Sequence, residues 1–447
     1  MRCWLLAPAC AVALACAAAD GNWPQFRGPS ASGIGDGASP PVQWDATKGT
    51  NILWTAEIPG LAVSSPVVWG DRIYVTTAIS SDPQQTFRTG LYGDTDSAPD
   101  RSPHKWKVLA LDKKTGKLLW EQMAHQGTPK TKRHPKSSQS SPTPATDGKV
   151  VIAYFGSEGL FAYSVDGKLL WKKDLGLQNA GWFFDPDSEW GAGSSPVIYK
   201  NTVILQCDRQ KDSFVAAFGL KDGKELWRTA RAEIPAWGTP TIVSGEGRTE
   251  VVTNGTKAIR GYDADTGKEL WKLGPNSEIT CTTPVSSHGL IFVTAGYPPV
   301  QPIYAIKTGS AGDLTLKDGQ DSSDAIAWSK KTGGSYLPSP LVYGDQLYLI
   351  NNNGILTAYE AKTGNRVYQQ RVGVGSSFVS SPVAAAGKLY IASEQGDVFV
   401  VKAGAAYQLL AKNSVDEPVL ATPALAGDLL IVRGAKHLFA IAESAPK

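Results

Sequence analysis

The chain has 447 residues, 42% of them hydrophobic and 19% charged. Lys and Arg number 44 against 41 Asp and Glu, and a formal charge of +3 gives no footing for nucleic acid as a partner. This length exceeds one ordinary domain unless the domain is a barrel or a closed repeat array, and 46 glycines with 14 tryptophans suggest an all-β fold of many turns and large apolar plugs.

The chain opens "MRCWLLAPACAVALACAAAD", with one positive charge at Arg2, an apolar run from Leu5 to Ala15, and the small residues Ala17, Ala18 and Ala19. This pattern predicts a secretory signal over residues 1–19 with an A-x-A-like cleavage site. A lipid on Cys16 is the alternative. A lipoprotein signal wants leucine three residues before its cysteine; Ala13 stands there and Leu14 falls one place late, so plain cleavage is preferred. No later stretch approaches the roughly 18 apolar residues of a membrane helix. The mature chain is therefore expected in the periplasm or outside the cell, lipid-anchored only if Cys16 is used. Of the cysteines past the signal, Cys207 and Cys281 lie two repeats apart, which favours two small buried side chains over a disulfide.

Residues 20–49 form an N-terminal arm. Next comes "NILWTAEIP" (Asn51 to Pro59), a strand with a tryptophan and no partner strands before it. From there a unit recurs: a pair of small residues, a proline, a short apolar run, a tight turn and a second apolar run. The prolines are Pro66, Pro142, Pro196, Pro240, Pro284, Pro340, Pro382 and Pro423, mostly 41 to 56 residues apart. That is the period of a propeller blade. Each unit continues into a third strand and then a D-x-x-T-G-K turn, where Asp can accept bonds from turn amides and Gly supplies φ > 0. A fourth strand follows with its tryptophan, as in "ALDKKTGKLLW" ending at Trp120 and "GYDADTGKELW" ending at Trp271. The prediction is an all-β, eight-bladed β-propeller of four-stranded antiparallel blades over residues 50–443, with a tail at 444–447. After Pro423 only three strands remain, so residues 51–57 should supply the fourth strand of the last blade and cover its edge. Three copies are degenerate. The fifth stretches its third connection before Trp328, the sixth has Tyr368 in place of tryptophan, and the seventh lacks an equivalent. Their interfaces are expected to pack less tightly.

The proline-led strands together with A-x-D-x-x-T-G-x-x-x-W resemble the pyrroloquinoline-quinone-like propeller repeats. That superfamily includes quinone-dependent dehydrogenases and the non-enzymatic outer-membrane assembly lipoprotein of Gram-negative bacteria. "NWPQFRGP" (Asn22 to Pro29) resembles the start of many exported members. The resemblance implies the fold over nearly the whole mature chain. It leaves function open, because one architecture serves unrelated tasks. A dehydrogenase would need pyrroloquinoline quinone and calcium in the channel with a carboxylate base beside them. The chain has no Cys-Cys, no C-x-x-C-H and no hydrolase or phosphate-loop motif, and Asp208 and Glu394 are the carboxylates at inner strand ends.

With strands A to D alternating in direction, A–B and C–D loops share one face and B–C and D–A loops share the other. Nearly all long connections (79–105, 121–139, 174–193 and 295–302) belong to the second face, and about 308–324 is the exception. Binding is expected where loops are elaborated. "LQNAGWFFDPDSEWGAG" carries Trp182, Phe184, Asp185 and Trp190, which read as a plug over the channel, a ligand contact or, through Asp185, Asp187 and Glu189, an incomplete calcium set. "HQGTPKTKRHPKSSQ" carries Arg133 in a basic loop, either solvated or facing an acidic partner. His104, His125 and His134 match no zinc spacing. Arg209, Trp237, Tyr297, Tyr336 and Asn352 complete the candidate contacts. The reading is a non-catalytic binding or scaffold module with no cofactor and with a protein, peptide or polysaccharide partner on this face. A quinone-dependent oxidoreductase is the alternative.

Overall fold

The computed structural model describes residues 21–443 except 36, 38, 91–95 and 186; the signal segment, Cys16 and the tail at 444–447 lie outside the described residues. Eight antiparallel sheets follow one another around a central channel. Blade 1 shows the pattern, with strands Val67–Trp69, Arg72–Ser80, His104–Asp112 and Leu118–Gly127 lettered A to D from the channel outward. Strands B and C of this blade and its strand D run further than the sequence pattern indicates, shortening the B–C loop to residues 81–103.

Strand A begins directly after a proline in every blade. In blade 2 that proline is Pro144, not Pro142, because strand A there is only Ala145–Thr146. The residue before each proline explains the spacing. Thr143 Oγ1 accepts from Ser65 N at 2.9 Å, Ser195 Oγ from Thr143 N at 3.0 Å, and Thr239 Oγ1 from Ser195 N at 3.0 Å. The series continues through Thr283, Ser339, Ser381 and Thr422. Seven hydroxyl-to-amide bonds thus run blade to blade around the channel, each contributing roughly 1 kcal/mol. Proline at the next position needs no partner for an N–H and starts strand A where the inner ends crowd together.

The tryptophan of strand D clasps the next blade. Trp120 of blade 1 donates Nε1–H to Val165 O in the C–D turn of blade 2 at 2.9 Å, and Trp171 of blade 2 does the same to Leu220 O of blade 3. The ring lies on the turn glycine. A β-carbon on Gly167 would stand 2.8 Å from Trp120, and Gly167 also has φ +88°, so glycine is required twice over. Trp328 of blade 5 donates to Ala361 O of blade 6, so the long fifth connection does not cost that blade its clasp. The insertion instead lays Gly312–Asp313 parallel to strand D of blade 4 as a fifth strand. With no tight turn in blade 5 to grip, Trp271 of blade 4 turns to Glu250 Oε2 within its own sheet. Tyr368 of blade 6 meets Tyr407 of blade 7 edge-on at 6.0 Å, but its hydroxyl is buried without a hydrogen-bond partner.

Ring closure follows the same rule. Ile52–Glu57 pairs antiparallel with His437–Ile441 as strand D of blade 8. Trp54, 9% exposed, then donates to Lys113 O of blade 1 and lies on Gly116. Blade 7 faces a blade whose C and D strands are not joined by a turn, so it has no turn to clasp. Trp44 of the N-terminal arm fills that seam, with its backbone N–H donated to Asn413 Oδ1 of blade 7 and its ring in the cluster joining blades 7, 8 and 1.

The arm also has a place that no sequence pattern indicated. Trp23 bridges to Val68, Asn22 accepts from the A–B turn at Gly70, Arg27 donates to Pro340 O of blade 6, and Ile34 bridges to Ala384 of blade 7. The A–B end of the channel therefore carries the arm as a floor, and Phe26 forms part of the cavity wall.

Trp54→Ala should cost about 3–5 kcal/mol, because it removes a large buried ring at the seam that closes the circle. Tyr368→Phe should be neutral or stabilising, since it removes an unpaired buried hydroxyl. Urea denaturation of both variants checks the contrast.

Candidate functional site

The B–C and D–A loops meet over the channel mouth. Three D–A loops are tied together there. His134 N donates to Trp190 O, Lys132 N to Glu189 Oε2, and Trp237 Nε1 to Gly191 O at 2.8 Å. Those bonds fold "WFFDPDSEW" back across the channel. Trp190, Ile279 and Tyr336 are buried there, with Trp182, Trp237, Cys281 and Tyr297 packed against them. Five of the candidate residues, Trp182, Trp190, Trp237, Tyr297 and Tyr336, thus gather in one cluster. Trp190 and Trp237 lie with ring centres 5.7 Å apart, Tyr297 and Tyr336 at 5.5 Å, and His134 stands edge-on to Trp190 at 5.3 Å.

Below the cluster is a cavity of about 240 Å³. Its upper wall is aromatic (Trp190, Trp237 and Tyr336) and its lower wall carries the hydroxyl belt (Thr143, Ser195, Thr239, Ser339, Ser381 and Thr422). Phe184 stays outside, 66% exposed, against Trp182 and Phe183. Asp185 accepts from Asp187 N and Ser188 Oγ and so shapes its own turn. Among the described residues no group of three or more His, Cys, Asp or Glu is placed to hold a metal.

The basic loop is not a solvated one. Arg133 is 5% exposed and donates to the carbonyls of His134, Pro135 and Ser137 and to Gln85 Oε1. Burial holds its guanidinium below the usual range. Lys136 reaches Glu394 of blade 7 at 2.6 Å, both side chains buried, and Glu394 Oε2 accepts from Gly90 N. The sequence places these residues 258 apart and carried no signal for the pair. Arg209 binds Leu177 O and Asp212 O and stacks over Phe214, which anchors the aromatic loop from beneath. Asp208 is bidentate to Arg231, both side chains fully buried. Both inner carboxylates are therefore committed to ion pairs. Cys207 and Cys281 are free thiols, and burial pushes each up to about 12. Asn352 sits apart from the aromatic cluster, in a cleft between blades 5 and 6.

The fold and this mouth define an eight-bladed propeller built from pyrroloquinoline-quinone-like repeats, with its mouth roofed by aromatic loops. The sequence profile described as outer membrane protein assembly factor BamB matches residues 34–208 and 211–444, and the chain belongs to that family. BamB of Shewanella oneidensis is 23% identical over 303 residues, 65% of this chain and 71% of that protein. BamB of Yersinia pestis is 23% identical over 353 residues, 70% and 83% of the two chains. Solved structures of similar shape include BamB from Moraxella catarrhalis (TM-score 0.54, 14% identity, 83% of this chain and 99% of that one). Another is the quinohemoprotein alcohol dehydrogenase of Comamonas testosteroni (TM-score 0.60, 12% identity, 95% and 81%).

The wall of the cavity does not match a calcium-bridged quinone. The paired indoles offer flat faces, but no Asp or Glu is among the described wall residues, and the one lysine of the wall, Lys136, is paired with Glu394. Calcium takes oxygen ligands, carboxylates foremost, and this wall does not supply that set.

Glu394→Ala should lower stability by about 3–5 kcal/mol, because it strands a buried lysine, whereas Lys136→Met with Glu394→Leu should recover most of the loss. Thermal melts of the three proteins check this. With both thiols pushed up to about 12, iodoacetamide at pH 8 should leave Cys207 and Cys281 unmodified in the folded protein and label both in guanidinium, as read by mass spectrometry.

Proposed function

We propose that the chain is an exported, non-catalytic scaffold of the outer-membrane assembly type. On this reading it binds a protein partner through the B–C and D–A loops around the channel mouth. The observation that carries it is the roof. Five aromatic side chains from four connections form one fixed cluster, and Phe184, with most of its ring in water, stands at its edge. Rigid aromatic anchors beside exposed apolar surface suit a protein interface. Leu177 and Val300, 52% and 47% exposed, extend the same face. Membership in the BamB family supports the assembly role, and the buried carboxylates argue against acid–base chemistry in the channel. On this reading the chain is exported, with lipidation of Cys16 left open.

The test is co-purification of the exported protein with the outer-membrane assembly machinery of its own cell. Phe184→Asp should abolish recovery at unchanged melting temperature, and Trp182→Ala should abolish it with a lowered melting temperature, because that ring packs against the roof cluster. Retention by both variants would remove the loop face from the reading. Reduction of a dye by alcohols or sugars, dependent on added quinone and calcium, would replace the scaffold with a dehydrogenase.

A further inference from the structure

A second recess on the loop face lies between blades 5 and 6, beside the aromatic roof and sharing Tyr336 with it. It has a volume of about 280 Å³. Its polar wall is built from Gln301, Asn351, Asn352, Asn353, Thr357 and Gln369, and no charged residue lines it. Tyr336 gives one aromatic side, with Tyr297 tilted against it at 5.5 Å. Its aliphatic lining is confined to Leu349 and Ile355.

Asn352 is the anomaly. It is 4% exposed, yet neither Oδ1 nor Nδ2 has a hydrogen-bond partner. Buried amides are nearly always paired, and leaving both ends unpaired is costly. The neighbours are only half used. Gln301 Nε2 donates to Gly296 O and Gln369 Nε2 to Thr357 Oγ1, while Asn351 Oδ1 accepts from the Asn353 and Ile355 amides. The Oε1 atoms of Gln301 and Gln369 and the Nδ2 of Asn351 are left for another partner. The cleft thus presents both donors and acceptors, without charge, beside one aromatic ring.

We infer that this cleft is a binding site for a neutral saccharide. Each sugar hydroxyl both donates and accepts, and an amide answers both roles at one side chain. A sugar ring also has an apolar face that suits Tyr336. A peptide would be expected to seek a deeper apolar pocket or a charge for a terminus, and this wall has neither. The inference does not require the scaffold reading, because no residue of the polar wall takes part in the aromatic roof.

The experiment is calorimetric titration of the mature protein with cellotriose, maltotriose and N,N′,N″-triacetylchitotriose, repeated on Asn352→Leu and Gln369→Ala. At least one trisaccharide should bind at millimolar concentration or below. Asn352→Leu should weaken that binding about tenfold or more, the loss expected from one bidentate amide contact. Its melting temperature should hold or rise, because an unpaired buried amide is removed. Gln369→Ala, at the rim, should weaken binding with no change in melting temperature. The inference is overturned if none of the three sugars binds, or if Asn352→Leu lowers the melting temperature, which would make Asn352 a structural residue. Binding of an uncharged tripeptide in place of the sugars, lost in the same variants, would also overturn it.

Discussion

An indole from one blade, laid on the turn glycine of the next and hydrogen-bonded to that turn, is the contact on which the molecule depends. Blades 1, 2, 3, 5 and 8 each carry an outer tryptophan that lies on the turn glycine of the next blade. Each of these requires a neighbour, and the requirement of Trp54 on blade 1 is met only when the row bends into a circle. The hydroxyl belt does at the inner radius what the indoles do at the outer one. Between them the two sets fix blade spacing at both radii, which makes the central space a rigid cavity and gives the loops above it a stable base.

That base explains why the loop face can carry ion pairs and aromatic packing that loops alone would not hold. Lys136 comes from the connection after blade 1 and Glu394 from blade 7. Their pairing across the mouth makes sense only if the blades cannot drift. Arg133 is likewise satisfied almost wholly by backbone carbonyls of its own loop, a use of arginine that turns a basic stretch into an internal strut.

The repeat could be read because its residues recur with a spacing set by local chemistry: Asp and Gly in the turn, Trp a fixed distance later, Ser or Thr before Pro. Blade number and the borrowed strand at Ile52–Glu57 follow from that. Blade 2 misled because "SPTP" offers two prolines, and only the belt bond to Thr143 distinguishes them. The aromatic members of the site were legible as a group, since large apolar side chains in loops need somewhere to go. Their mutual contacts were not, because they come from four separate connections. The Lys136–Glu394 pair and the unpaired Asn352 left no trace in composition or spacing, as both are products of where distant loops meet. The arm's course was equally hidden. Its anchors, Trp23, Arg27 and Ile34, bind backbone atoms, which have no sequence signature.

The arm lies at the A–B end of the central space while the indoles stand at its mouth, so the two ends meet the outside through different parts of the chain. A partner docked over the mouth would cover the indoles, and anything in the cavity would then lie between that partner and Phe26 of the arm.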